Sequence, residues 1–167
     1  PVPIPDPHML PVTFYWTEGS LHNFSFQYSL LVTPYAKQYI WTETTGLTTT
    51  QAGSIVVYGS GNVTGRYRAQ FYLTVQSPYG TESGDGWYNN SALAFASLNI
   101  GIIDYANGTR QVFNSWEGDA AGTDYTRSFP MTMDKPQTAL ANWQTQHYLT
   151  VRTDPANITA NITAING

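Results

Sequence analysis

Short runs of β-branched and aromatic residues, separated by Gly, Pro and Asn, most limit what this chain can form. Helix signals are scarce, so we predict an all-β fold. The predicted strands are Leu10–Trp16, Phe24–Val32, Gln38–Glu43, Ser54–Tyr58, Tyr67–Val75, Ala92–Tyr105, Arg110–Trp116, Ala139–Trp143, Tyr148–Arg152 and residues 155–167.

One turn and one loop can be placed among these runs. Asn107-Gly108 lies between the strands that end at Tyr105 and begin at Arg110, and it predicts a hairpin. A type I′ turn requires positive φ at both central positions, which Asn and Gly tolerate. The segment Ser77–Gly86 is rich in Gly and Ser and predicts a loop.

The C-terminal stretch, residues 155–167, reads PANITANITAING. Ala and Ile alternate there with Asn and Thr, which favours a half-buried strand with a polar outer face. N-x-[S/T] is the acceptor signal for N-linked glycan in a secreted protein. The chain carries that signal at Asn23, Asn62, Asn89, Asn107, Asn157 and Asn161. We therefore expect a secreted, extracellular glycoprotein.

Composition reduces the classes of protein to which the chain can belong. Only 11% of the residues are charged and the net charge is −4, so no footprint for nucleic acid is visible. The chain contains no cysteine, so disulfides cannot support the fold. We expect no membrane span, because no stretch reaches the roughly 20 apolar residues that one needs. Because the sequence begins at Pro1, we expect a processed mature form.

The N-terminal segment, residues 1–17, has an unusual proline pattern. Pro occupies positions 1, 3, 5 and 7, which removes backbone donors from one edge of an extended segment and leaves the other edge able to pair. Apolar residues then alternate with others. This segment is either a Pro-rich leader before an ordinary first strand or a donor strand that completes the sheet of a neighbouring copy. The C-terminal stretch, residues 155–167, is the competing donor, but two glycans on it would have to clear the acceptor groove, so we favour the N-terminal segment. The candidate donor residues are Val2, Ile4, Leu10, Val12, Phe14 and Trp16.

A four-residue sequence occurs twice, as Tyr72-Leu73-Thr74-Val75 and as Tyr148-Leu149-Thr150-Val151. Between the copies lie V-F-x-x-W-x-G and T-M-D…A-x-W, which resemble the divergent B-repeat modules of prokaryotic surface proteins. The matching residues are Val112, Phe113, Trp116, Gly118, Thr132, Met133, Asp134, Ala141 and Trp143. The resemblance covers residues 70–151 and implies a β-rich surface module rather than a catalyst.

The sequons, the lack of cysteine, the low charge and the apolar N-terminal arm together resemble the subunits of glycosylated crenarchaeal thread filaments. The resemblance implies an antiparallel β-sandwich, immunoglobulin-like or pilin-like, over residues 18–167, with residues 1–17 as an extended donor strand. It further implies a head-to-tail homopolymer on the cell surface, used in adhesion or cell–cell contact. Covalent N-glycans are expected, and no other cofactor.

Two binding functions compete with a filament subunit. Exposed aromatic rings stack on sugars, so the chain could be a secreted carbohydrate-binding module or a module associated with a cell-surface layer. Trp41 and Trp87 are the candidates for contact with surface glycans, whereas Trp116 and Trp143 are predicted to lie in the core.

The sequence gives less support to a catalytic or metal-binding function. A secreted acid protease or another hydrolase would need carboxylates, for which Glu18, Glu43, Glu82 and Asp104 are candidates without a distinctive spacing. The segment EGDAAGTD, with Glu117, Asp119 and Asp124, reads as a solvated turn or as a calcium loop without EF-hand spacing. His8, His22 and His147 show no zinc-binding pattern.

Overall fold

The computed structural model describes residues 11–154, and its regular secondary structure over that range consists of strands without a helix. This confirms the all-β prediction. The thirteen strands are β1 (Leu21–Ser25), β2 (Ser29–Thr33), β3 (Lys37–Gly46), β4 (Ala52–Val56), β5 (Val63–Gln76), β6 (Glu82–Ser83), β7 (Gly86–Asn89), β8 (Leu93–Ala94), β9 (Ser97–Leu98), β10 (Ile102–Asp104), β11 (Thr109–Gly118), β12 (Met131–Thr132) and β13 (Gln137–His147).

The chain divides into two compact units that interleave along the sequence. Within the described part, unit 1 holds residues 11–72, 87–92 and 133–136, and unit 2 holds residues 73–86, 93–132 and 137–154.

Unit 1 contains a ladder and a separate strand pair. In the ladder β2, β3 and β5 lie side by side, and both pairings are antiparallel. The separate pair joins β1 to β4, with Leu21 opposite Val56 and Ser25 opposite Ala52. In the ladder β2 therefore has a neighbour on one side only, among the residues that the structure describes.

Unit 2 is built on β10, β11 and β13, which pair antiparallel in that order. The start of β13 pairs in parallel with the end of β5, from Leu73 opposite Gln137 to Gln76 opposite Leu140. Two short pairs, β8 with β12 and β6 with β9, complete the unit. The predicted antiparallel pairing is thus wrong for β5 and β13, and the sandwich arrangement stays a prediction.

A bulge in β11 sets the inner face of unit 2. The register against β13 shifts between Phe113 and Ser115, so Asn114 is the additional residue. A bulge reverses the alternation of side chains beyond it. Phe113 and Trp116, three positions apart, are consequently both buried, and they lie opposite Trp143 and Ala141. The first segment of the B-repeat resemblance, Val112–Gly118, thus lies in β11, and Ala141 and Trp143 of the second segment lie in the paired strand β13.

The predicted boundaries fail in four places. Residues 11–16 and 148–152 form no strand, although both were predicted to do so. The predicted strand Phe24–Val32 is divided between β1 and β2, and Ala92–Tyr105 is divided among β8, β9 and β10. Leu10 and residues 155–167 lie outside the described range.

The hairpin between β10 and β11 is confirmed, but its turn is not the predicted type I′ turn. Tyr105 N–H donates to the Thr109 carbonyl at 3.1 Å, so three residues form the loop. Positive φ occurs at Ala106 (56°) and Gly108 (85°) instead of at Asn107 and Gly108. The Asn107 Oδ1 accepts a hydrogen bond from the Thr109 N–H at 3.0 Å. This side-chain contact favours an Asx-type turn.

A search of residues 11–154 for helices long and apolar enough to cross a membrane finds none.

Candidate functional site

The two units differ in how much of their apolar surface is buried. Eleven of the twelve buried apolar residues in the described chain belong to unit 2. Met133 is the one that belongs to unit 1, and from Pro11 to Tyr72 no apolar residue is buried. A globular domain normally surrounds a continuous apolar core. Unit 1 therefore has ordered strands without a completed core.

Side chains on the inner faces of unit 1 are half-buried. Phe24 and Phe26 meet edge to face, with 5.9 Å between ring centroids. The Phe26 ring lies against Gly65 of β5, where an added Cβ would come within 2.6 Å of the ring. Ile55 of β4 is also half-buried. These contacts begin a core but leave its apolar surface partly open to solvent.

Strand β2 forms an exposed apolar edge. Leu31 and Val32 are 58% and 56% exposed, and the register against β3 shifts between Leu31 and Thr33, so Val32 is the additional residue of a bulge. Tyr28 and Tyr35 on either side of the strand are exposed as well. An apolar edge with free backbone groups on one side is a template for another strand.

The described part of the N-terminal arm lies on unit 1 as a stack of rings. Phe14 stacks on Trp16 with 5.1 Å between ring centroids, and Trp16 stacks on His22 of β1 at 3.7 Å. Both aromatic side chains remain exposed, whereas Val12 is half-buried. The other three candidate donor residues, Val2, Ile4 and Leu10, lie outside the described range.

The predicted glycosylation sites differ in accessibility. Asn23, Asn62 and Asn107 are exposed, on β1, before β5 and at the hairpin turn. Asn89 is half-buried in β7, and its Oδ1 accepts a hydrogen bond from Gln70 at 3.0 Å. The glycans stay predictions, and among the described sequons Asn89 has the least accessible side chain. Asn157 and Asn161 lie outside the described range.

A row of aromatic rings crosses unit 1. Tyr72 meets both Tyr35 and Trp87 edge to face, with centroid separations of 5.4 and 5.1 Å. Tyr35 is 74% exposed and has a φ of 52°, a value that few residues other than Gly adopt. Trp41 is half-buried and donates its Nε1–H to Thr44 Oγ1 at 3.2 Å. Tyr35 was not among the aromatic residues predicted for sugar contact, and its backbone strain is not visible in the sequence.

The acidic residues of EGDAAGTD each have their own partner. Glu117 accepts from the Asn142 amide, and Asp119 accepts from the Thr138 N–H at 2.9 Å. Asp124 accepts from the hydroxyl of Thr126 at 2.7 Å and from its N–H at 2.8 Å. The hydrogen bond from the Thr126 hydroxyl, and after it the bond from the N–H, hold the pKa of the Asp124 carboxyl below its ordinary value of 3.8.

The other acidic and histidine side chains considered for catalysis or metal binding also lie apart from one another. Glu43 faces Arg66 at 3.4 Å as an exposed ion pair, and His22 Nε2 lies 2.7 Å from Ser20 Oγ. Across residues 11–154 no three His, Asp or Glu side chains are placed to hold a metal ion together. His8 lies outside that range.

A shallow groove of about 210 Å³ lies in unit 2 at the β10–β11 turn. Asp104, Arg110, His147 and Tyr148 contribute side chains to it. Arg110 Nε donates to Gln146 at 2.8 Å, and His147 Nδ1 lies 3.1 Å from Thr109 Oγ1. Asp104 is the single carboxylate lining the groove, so the groove does not combine the four carboxylates that the sequence offered for hydrolysis.

No protein-family model, no curated protein and no solved structure matches this chain. The resemblances to B-repeat modules and to thread subunits therefore stay predictions.

Proposed function

We propose that this protein is the structural subunit of an extracellular filament, and that the N-terminal arm of one copy completes unit 1 of the next. The observation that carries the proposal is the absence of a buried apolar residue between Pro11 and Tyr72 in the described chain. Strands with an unfinished core are stabilised when another strand covers them.

The arm has the chemistry of a covering strand. Its prolines leave one edge able to pair, and its apolar residues alternate with others. A strand of this kind adds to a free sheet edge through main-chain bonds, while alternate side chains fill apolar sites. Fully burying one large apolar side chain contributes about 1.5–3 kcal/mol. Several such side chains are needed, because association itself costs about 4–15 kcal/mol.

The acceptor in this proposal is the exposed edge β2. Leu31 and Val32 are both exposed there, and the strand pairs with β3 alone among the described strands. A contact between the arm of one copy and β2 of another joins different surfaces. Such a contact is head-to-tail and does not close on itself, so repetition gives a filament. Glycans on the exposed sequons would cover the outer surface.

The first test is negative-stain electron microscopy of the native protein, with mass spectrometry of the same sample. We expect filaments of subunits heavier than the 18.5 kDa of the polypeptide. Deleting residues 1–16 should give a soluble species that does not polymerise. Polymerisation of this variant to the same extent as the intact chain would contradict the arm as donor.

Two leucines provide a matched test of the acceptor. Leu31 in unit 1 and Leu93 in unit 2 are each 58% exposed. Leu31→Lys should abolish polymerisation, because the charge would be buried under the arm, whereas Leu93→Lys should leave it unchanged. Equal effects of the two changes would contradict β2 as the acceptor.

The aromatic row of unit 1 favours a second candidate function, carbohydrate binding. Strained residues cluster at binding sites, and Tyr35 combines strain with exposure. Tyr35→Ala should then abolish binding to an oligosaccharide panel. Tyr58, which is 76% exposed and also in unit 1, serves as the control. Unchanged binding in Tyr35→Ala, or equal loss in Tyr58→Ala, would contradict this function.

A further inference from the structure

The last three residues of the repeated sequence Tyr-Leu-Thr-Val occupy two opposite environments in unit 2. In the first copy, Leu73 and Val75 lie in β5 and are 0% and 3% exposed. In the second copy, Leu149 and Val151 are 81% and 51% exposed and belong to no strand. The same side chains have the same preference for a sheet, so the second copy differs in lacking a partner strand among the residues that the structure describes.

The register of β13 explains why the described strands of unit 2 supply no partner for residues 149–152. His147 lies opposite Thr109, and the Tyr148 N–H donates to the Gly108 carbonyl at 3.1 Å. Residues 106–108 form the turn at the end of the β10–β11 hairpin. From Leu149 the chain therefore continues past the end of the strands beside it. Residues 149–152 make no hydrogen bond with any residue that the structure describes.

Unit 2 also has a free edge, at β10. Gly101 O accepts from the Phe113 N–H, and the Tyr105 N–H donates to Thr109 O, so these residues point their backbone groups toward β11. Backbone groups alternate in direction along an antiparallel strand. Ile102 and Asp104 consequently point theirs away from β11, where β10 has no neighbour among the described strands.

We propose that residues 149–152 of one copy pair in parallel with Gly101–Asp104 of a second copy, with Thr150 beside Ile102 and Arg152 beside Asp104. The inference rests on the proposed self-association but uses a segment other than the N-terminal arm. The first copy of the repeated sequence shows the orientation, because Leu73–Val75 pairs in parallel with Gln137–Ala139.

Side-chain placement selects this register. Leu149 and Val151 fall on the same face as the half-buried Ile103, while Thr150 and Arg152 fall on the exposed face with Ile102 and Asp104. A shift by one residue would place both apolar side chains on the exposed face. The parallel direction also brings the Arg152 guanidinium to the Asp104 carboxylate, and opposite charges that face each other across strands are stabilising.

The absence of native cysteine permits a direct test by cross-linking. Two single-cysteine variants are mixed and oxidised, and the disulfide-linked peptides are identified by mass spectrometry. Directly opposite residues on neighbouring strands lie within disulfide range. We expect Thr150→Cys to cross-link with Ile102→Cys several-fold more than with Ile103→Cys, whose side chain faces the other way. A yield that is equal for both partners, or highest with Leu31→Cys in β2, would overturn the proposal.

Charge reversal gives a second measurement on the same pair. Adding Arg152→Asp to the Thr150→Cys variant should lower the yield several-fold, and adding Asp104→Arg to the Ile102→Cys variant should restore it. Failure of the second change to restore the yield would overturn the register.

The deletion of residues 1–16 separates this inference from the proposed function. A contact of four residues on each side is too small to hold a filament without the arm, but oxidation can still trap it. Cross-linking between Thr150→Cys and Ile102→Cys should therefore persist in the deleted chain although filaments are lost. Normal filaments without this cross-link would overturn the present inference and leave the arm as donor intact. Polymerisation by the deleted chain through this contact alone would instead contradict the proposed role of the arm.

Discussion

Among residues 11–154, unit 2 buries eleven apolar residues and unit 1 buries one, although each contains strands of ten residues or more. In unit 2 the bulge of β11 brings Phe113 and Trp116 to the same inner face, where small residues such as Ala139 and Ala141 lie on the facing strand. In unit 1 the strands have regular hydrogen bonds, but their inner side chains stay half-exposed.

The difference shows that strands in this molecule can be hydrogen-bonded to their neighbours without a packed apolar core beside them. Hydrogen-bonded ladders define the strands of both units, whereas packing stabilises mainly unit 2. A net backbone hydrogen bond contributes only about 0.5–1.5 kcal/mol, so a ladder without a core is easily opened. Four comparisons, each between two variants, follow in order of decreasing expected effect.

Replacing a buried leucine of unit 2 and an exposed leucine of unit 1 by alanine should give the largest difference in stability. Leu73→Ala in the core of unit 2 should lower the free energy of unfolding by about 2–5 kcal/mol, because it leaves a cavity. Leu31→Ala in unit 1 should change it by no more than about 0.5 kcal/mol in the unassembled protein. Urea titration of both variants measures the effect. Similar losses in the two variants would show that unit 1 has a core after all.

Two glycines, one in each unit, test how tightly the atoms around them are packed. Gly118 of β11 has a φ of 80°, and an added Cβ would lie 2.5 Å from the Thr138 carbonyl oxygen, which belongs to a paired strand. Gly118→Ala should therefore cost about 2 kcal/mol or more. Gly65→Ala in unit 1 meets the half-exposed Phe26 ring, which can rotate toward solvent, so the cost should be only about 1 kcal/mol. Thermal unfolding of both variants measures the difference, and the reverse order would contradict the closer packing of unit 2.

The stack between Trp16 and His22 should make a smaller contribution to unit 1. Trp16→Ala removes the ring contact and should cost about 0.5–1.5 kcal/mol. Tyr15, which is 99% exposed, provides the control, and Tyr15→Ala should have no measurable effect. Urea titration of the two variants measures the change in the free energy of unfolding. An equal loss in both would mean that the ring stack does not hold the arm.

The smallest effect concerns a turn of unit 2. Because hydrogen bonds from Thr126 lower the pKa of Asp124, the ionised turn is stabilised above pH 3.8, and this contribution is lost as the pH falls through the lowered pKa. Thr126→Ala should raise the pKa of Asp124 toward 3.8, and Thr126→Ser should not. NMR titration of the carboxyl carbon measures both, and an unchanged pKa in Thr126→Ala would contradict the role of the hydroxyl.

Sequence patterns located the long strands but not their pairing. The cores of β3, β5, β11 and β13 were predicted within a few residues, because alternating aromatic and β-branched residues mark them. The pairs β6–β9 and β8–β12 contain two residues per strand, too few to show a period. The parallel contact of β5 with β13 joins residues more than sixty positions apart, and no local signal specifies it.

The candidate site was predictable only in part. The alternation in the arm was visible in the sequence, and the structure keeps Phe14 and Trp16 exposed. The unfinished core of unit 1 was not visible, because the hydrophobic content of 41% is an average over both units. The second Tyr-Leu-Thr-Val was predicted as a strand from propensity, but a strand also needs a neighbour, and the register of β13 places residues 149–152 beyond the strands beside it.

The ladder between β11 and β13 also has a mechanical consequence. Nine residue pairs join these two strands, and the chain leaves β13 at the end nearest the β10–β11 turn. Tension that enters the protein through residue 148 and acts along β13 loads these pairs in shear, so that they share the force. Tension across the strands would instead open the pairs one after another. Unit 2 is therefore expected to resist pulling along β13 better than pulling across it.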